Sequence, residues 1–362
     1  MPTCIDQAAA ENWTLYHGDC CEVVKALPDN SVHISVHSPP FSSLYIYSDS
    51  ERDMGNCASD EEFIEHYRFL IRRLFRVMIP GRVVAVHCKD LPKYANKHGA
   101  AGLIDFPGMI IQAYEAEGFV YHSRVTIWKC PVTERERTNN NGLLHKTATR
   151  DRSQLRQGMA DFIIAFRKPG VDGLMSSEPV TIGDGTTGFN EYCGDLDPRE
   201  TIAHPSPFAR KAKDGMRESV RIWQRYAEPV WWDINQTRVL NYKLGRDEND
   251  EKHICPLQLD VIHRCLQLWS NPGDVVLSPF AGIGSEGYEA ILMGRKFVGI
   301  ELKESYYRQA IKNLQKAEQE TKQASLFQHS SEHDAAEMEA EISSFVGDKR
   351  VDGVTIDEYA DL

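Results

Sequence analysis

The chain has 362 residues, 41% of them hydrophobic, enough for one large α/β core or a core with a smaller insert. Its 53 acidic and 41 basic residues leave a net charge of −12, a sum that counts against nucleic-acid binding unless the basic residues are gathered in one place. No run approaches the ~18 apolar residues of a membrane span, the first residues lack a basic-then-apolar leader, and the nine cysteines include no C-x-x-C pair. The expectation is a cytoplasmic protein with no membrane partner and no metal site.

Trp13–Tyr16 reads as a short strand ending in His17-Gly18-Asp19, Cys21–Leu27 has helical spacing, and Pro28-Asp29-Asn30 is a turn. Asp19 either faces the crevice where α/β sheets take ligands or caps the next helix, and both readings stand. Val32, Ile34 and Val36 alternate as a buried strand that runs into Ser38-Pro39-Pro40-Phe41. The prolines fix φ and donate no N–H. The strand thus ends in a rigid lip: a hydroxyl, carbonyls at set angles and a flat apolar ring. Such a lip suits gripping an exocyclic amino group while stacking on its base, although a plain strand ending in a proline turn has the same residues. The loop 42–59 is long enough to be a functional segment. Glu61–Met78 is an amphipathic helix stopped by Pro80-Gly81, and Arg82–His87 is a buried strand. Phe106–Glu117 is helical, and Val120–Trp128 and Ala160–Phe166 are strands that form a hairpin.

Basic residues collect in the middle of the chain. Arg135, Arg137, Lys146 and Arg150 lie in the connection between those last two strands, and Arg210, Lys213 and Arg217 lie further on. Cations interleaved with aromatic residues suit nucleic acid. The tryptophans Trp223, Trp231 and Trp232 are expected instead to pack the core of an insert over 171–250. Regular patterning then returns: Pro256–Trp269 as a helix, Val275–Leu277 as a strand, Phe297–Ile300 as a strand ending in Glu301, and Tyr306–Glu318 as the last helix. An acidic tail, 319–362, reads as poorly ordered in part. Between the first two of these strands lies Ser278-Pro279-Phe280-Ala281-Gly282-Ile283-Gly284-Ser285, a strand end and glycine turn opening a helix. Its glycines let backbone approach a ligand closely, and Glu301 is placed to accept from ribose hydroxyls. Gly282 to Gly287 also satisfies G-x-G-x-x-G, so a nicotinamide-dependent oxidoreductase is a rival from this motif alone.

Ser38-Pro39-Pro40-Phe41 resembles the Asp/Asn/Ser-Pro-Pro-aromatic motif of DNA amino-methyltransferases, and the glycine turn resembles that family's Asp-Pro-Phe-x-Gly-x-Gly. His253–Leu259 and Gly299-Ile300-Glu301 with Tyr306 resemble two further motifs, and their order along the chain is that of the β-class. The resemblance implies a Rossmann-like fold, a mostly parallel sheet with helices on both faces. It divides the chain into a catalytic half (1–170), a target-recognition insert (171–250) and a cofactor half (251–318). It implies S-adenosyl-L-methionine as methyl donor, held by Asp19, Pro256, Ser278, Pro279, Phe280, Ala281, Gly282, Gly284, Ser285 and Glu301, with Ser38 to Phe41 catalytic. Double-stranded DNA is the implied substrate, its target base flipped out of the duplex. A second copy of the chain and a cognate restriction endonuclease are candidate partners. One departure stands out: the family's leading Asp is Ser278 here, so an acidic contact to the donor's amino group is missing or supplied elsewhere. Serine in the lip favours cytosine N4 over adenine N6 as the acceptor. The cytosine-C5 chemistry fails, because the chain has no Pro-Cys pair.

Overall fold

Runs of β-branched and aliphatic residues on both flanks of the chain meet in one sheet, of nine strands among the described residues. The computed structural model describes residues 4–41, 54–95, 99–138, 143, 145–170, 223, 225–245 and 256–323. The strands are β1 (Asp6–Ala9), β2 (Trp13–His17), β3 (Val32–His37), β4 (Met78–Lys89), β7 (Val120–Ile127), β8 (Asp161–Arg167), β9 (Val230–Trp231), β10 (Val275–Ser278) and β11 (Lys296–Glu301). A separate ribbon pairs β5 (Leu91–Lys93) with β6 (Gly102–Ile104). The sheet order is β1-β2-β11-β10-β3-β4-β8-β7-β9. Its centre, β2-β11-β10-β3-β4, is parallel, while β8 is antiparallel to both β4 and β7.

The central strands are buried on both faces, as parallel strands must be. One apolar layer holds α1 (Cys20–Ala26), α2 (Asp60–Val77) and α3 (Phe106–Ala116), with Phe63, Tyr67, Leu70, Ile71 and Leu74 turned inward from α2. The other holds α6 (Leu259–Trp269) and α7 (Ser285–Leu292) together with residues of a further helix, α8, over 304–323. The chain divides into two compact units, Met1–Ala317 and Glu318–Leu362, and of the second only 318–323 are described. Among the described residues, no helix is long and apolar enough to cross a membrane.

The structure departs from the sequence reading in several places. β1 had no apolar signature, because it is an exposed edge strand whose register comes from pairing with β2. β7 and β8 pair antiparallel as expected, but their connection carries α4 (Pro131–Thr138) and α5 (His145–Arg150). The helix expected from Pro256 begins three residues later, at Leu259, since Gln258 is still extended. Trp231 is buried in the main core with Ile34 and Val36 rather than in a core of the insert, and its indole N–H donates to the Tyr226 carbonyl at 3.0 Å. Trp223 and Trp232 are about half exposed, at 52% and 43%. The acidic tail beyond 323 lies outside the described residues.

Close packing of α7 on the sheet rests on Gly287, where a Cβ would stand 2.4 Å from the Phe297 ring and 2.5 Å from Leu314. Gly287→Ala is therefore expected to destabilise the fold by about 1–3 kcal/mol despite alanine's better helix propensity, read as a lowered midpoint in urea.

Candidate active site

β3 and β10 lie side by side with Ile34 opposite Val276 and Ser35 opposite Leu277. From this pair the chain continues outward in opposite directions, β3 to β4 and β10 to β11. A crevice opens at such a switch point, beyond the carboxyl ends of the strands. The two sequence motifs occupy it: Ser38 to Phe41 follow β3, and the glycine turn follows β10. Ser35 Oγ donates to the Leu277 carbonyl at 2.9 Å, and the His37 and Phe280 rings stand 5.9 Å apart, so the two ends are packed on each other. His37 is fully buried between Ser35 Oγ at 3.0 Å and Tyr67 Oη at 2.9 Å. Desolvation pushes its pKa down to about 3, which keeps the ring neutral beneath the site.

Pro39 and Pro40 are buried, which fixes the lip, while Ser38 and Phe41 are half-buried at its rim. Phe41 leans edge-on against buried Phe106, at 6.3 Å, and lies 6.2 Å from the His87 ring. His87 sits near the end of β4. Ser38 Oγ is 3.2 Å from His87 Nδ1 and 3.4 Å from the His87 carbonyl. His87 Nε2 lies 3.1 Å from Asp161 Oδ2 at the start of β8, and Lys129 Nζ lies 2.6 Å from the same oxygen. Burial alone would raise the Asp161 carboxyl. The hydrogen bond with His87 and the positive charges of Lys129 and Lys89 outweigh it and hold the group well below the usual carboxylate range.

A carboxylate only accepts, so His87 Nε2 carries the proton toward Asp161. In the neutral ring Nδ1 is then an acceptor. The Ser38 proton points to it or to the His87 carbonyl, and the hydroxyl lone pairs are left for an incoming N–H. Sequence reading missed His87, Asp161 and Lys129. No spacing links positions 87, 129 and 161; the antiparallel register that sets Lys89 opposite Asp161 brings them together.

On the other side of the crevice, Gly282 and Gly284 have φ of +53° and +87°, the left-handed region that glycine adopts without strain. Among the described residues a Cβ at Gly282 would meet nothing within 4 Å, so they leave open space at the turn. Gly282 N–H donates to Glu301 Oε2 at 2.7 Å, and Lys303 N–H donates to Oε1 at 2.7 Å. Ser278 and Ser285 are buried, and among the described residues their hydroxyls have no hydrogen-bond partner. Pro279 and Ala281 are buried around the turn, while half-buried Phe280 rests between His37 and Tyr67. Asp19 caps α1 by accepting from Glu22 N–H at 2.9 Å, two residues past the His17–Glu301 pair of β2 and β11. Pro256 is half-buried in the extended segment leading into α6.

Arg135, Lys146 and Arg150 are exposed on α4 and α5, which leave the sheet at the edge where β4 ends and β8 begins, the edge of Ser38 and His87. Arg137 falls within α4, and its side chain is outside the described residues, as are Arg210, Lys213 and Arg217. Arg225, basic in the sequence, is buried in an ion pair with Asp233, which Arg264 also meets at 2.6 Å. Among the described residues no cluster could hold a metal ion.

The sheet order, the glycine turn at the switch point and the serine-proline lip beside it define a Rossmann-like methyltransferase fold. The chain belongs to the N6/N4 DNA methylase family, whose pattern it matches over residues 32–312. It is 24% identical over 307 residues to the type II methyltransferase M.Cfr9I of Citrobacter freundii, an alignment covering 83% of this chain and 87% of that one. It is 39% identical over 83 residues to the DNA adenine methyltransferase YhdJ of Escherichia coli K12, covering 23% and 26%. Among solved structures, a DNA modification methylase of Thermus thermophilus complexed with S-adenosyl-L-methionine superposes with a TM-score of 0.55 at 20% identity, covering 85% and 96%. The cytosine-N4-specific PvuII DNA methyltransferase superposes at 0.52 and 14%, covering 84% and 87%.

Proposed function

We propose that this protein is a site-specific DNA methyltransferase that moves the methyl group of S-adenosyl-L-methionine to the N4 amino group of cytosine in double-stranded DNA. The observation that carries the reading is the placement of Ser38 Oγ, within hydrogen-bond distance of His87 at the end of β3, beside the strand that leads into the glycine turn. The open space at Gly282 and the orphaned Ser278 and Ser285 hydroxyls fit a ligand with many polar groups at that turn. When bound, that donor supplies an electrophilic methyl on sulfur. Glu301 holds its ribose, and Asp19, Pro256 and residues 278–285 line the rest of its cleft.

The chain's own work is on the base. An aromatic amine delocalises its lone pair into the ring and is a poor nucleophile. Ser38 Oγ and the Pro39 carbonyl accept its two hydrogens, favouring a more tetrahedral nitrogen, and Phe41 stacks on the flipped base. The rate gain comes from alignment of nitrogen, methyl and sulfur in line. Bound at the turn, the donor would supply its methyl with a neutral thioether as leaving group, and Ser38 and His87 would take up the proton that the amino group gives up. Arg135, Lys146 and Arg150, with Arg137, Arg210, Lys213 and Arg217, contact DNA phosphates, and 171–250 reads the target sequence. Ser38 is a neutral acceptor, which favours cytosine. The similarity to an adenine methyltransferase over 83 residues supports adenine N6 as the second reading. Digesting DNA treated with the protein and weighing its nucleosides by mass spectrometry decides between them. N4-methylcytosine is expected, and N6-methyladenine as sole product overturns the choice.

A further inference from the structure

Helix α7 buries two glutamates one turn apart, and the fold treats them differently. Glu289, 2% exposed, is paired with Arg238 at 3.2 Å and His263 at 2.9 Å. Glu286, 5% exposed and in the helix's first turn, pairs with no cation among the described residues. A buried carboxyl without a cation is costly as an anion, so it keeps its proton until a cation arrives to meet it.

Buried groups on the same helix and on elements packed against it carry the same mark. Among the described residues, the hydroxyl of Ser285, its neighbour in sequence, and that of Ser278 at the end of β10 are buried without hydrogen-bond partners, and so is Gln258 Oε1 at the N-terminus of α6. α6 and β10 both pack against α7. Carboxylate, amide oxygen and hydroxyls are all acceptors, the complement of a group with several N–H donors and a positive charge. The acid that the family resemblance leads one to expect at position 278 is here a serine.

We propose that Glu286 receives the ammonium of the methyl donor's amino-acid end, with Ser278, Ser285 and Gln258 completing its acceptors. The assignment rests on the methyl-donor reading given above. Burial raises the Glu286 pKa to about 8 in the ligand-free protein, with the charge of Glu301 adding to it. A ligand ammonium therefore displaces a proton from this group on binding near neutral pH.

The test compares S-adenosylhomocysteine with 5′-methylthioadenosine, which shares its adenosine and thioether but lacks the amino acid, by titration calorimetry on the whole protein. The other nearby titratable groups, Glu301 on β11 and the Glu289–His263–Arg238 set, meet both ligands alike. Glu286→Gln is expected to weaken S-adenosylhomocysteine about 10- to 100-fold and to leave 5′-methylthioadenosine unchanged. Adding Ser278→Asp to that variant restores most of the loss. With wild-type protein at pH 7, buffers of different ionisation heat should reveal a proton released by S-adenosylhomocysteine and none by 5′-methylthioadenosine, a readout that stands even if the variant does not fold. Equal loss for both ligands, no loss, or identical proton release overturns the assignment while leaving the methyl-donor reading intact. Wild-type protein that binds neither ligand overturns both.

Discussion

Ser38→Ala lowers the rate of methyl transfer in a single turnover by about 10²- to 10³-fold while leaving affinity for S-adenosylhomocysteine unchanged. The hydroxyl lies at the end of β3, within hydrogen-bond distance of His87, whereas the residues proposed to hold the donor follow β2, β10 and β11. In the proposed mechanism its removal deletes one of two acceptors for the amino group, and alanine leaves the buried prolines in place. A single-turnover measurement with saturating donor isolates that step from product release. If donor affinity falls in step with the rate, Ser38 is a structural residue and the lip is not where chemistry happens.

The second large effect is expected from Asp161→Asn. Asp161 is the carboxylate that fixes which nitrogen of His87 carries the proton. An amide donates as readily as it accepts, so the ring is free to turn its N–H toward Ser38 and occupy a lone pair that the target base needs. A loss of about 10²-fold in transfer rate follows, by the same logic that makes the tautomer-setting acid of a hydrolytic triad important. The variant also strands Lys129, only 9% exposed, without its carboxylate, which costs about 3–5 kcal/mol. The sign of the linked pH effect is fixed by the lowered Asp161 pKa. Wild-type protein holds this contribution above the ordinary carboxylate range and loses it as pH falls below about 4, and Asp161→Asn flattens that limb of the stability curve. Urea unfolding across pH 3 to 7, together with single-turnover assays, checks both halves. A variant as active as wild type removes His87 and Asp161 from the site.

Much of this protein could be read before folding it. Val32-Ile34-Val36 alternation, the α2 stripe of Phe63, Tyr67, Leu70 and Ile71, and the glycines before α7 are local patterns, and local geometry dictates them: side chains alternate on a strand, recur every three to four residues on a helix, and only glycine sits easily at φ of +87°. The two motifs were legible for the same reason, since each is a strand end continued by residues of fixed conformation. What tertiary structure alone decided is how distant segments stand against one another. That β3 and β10 are neighbours follows from the order of nine strands, and the chain between them offers no local signal of it. His87, Lys129 and Asp161 meet through the pairing of three strands, which depends on the whole sheet's register. The unlike fates of Glu286 and Glu289, one turn apart on the same helix, depend on which neighbours lie within a few ångströms, because the energy of a buried charge is set by its partners and not by its place in the chain.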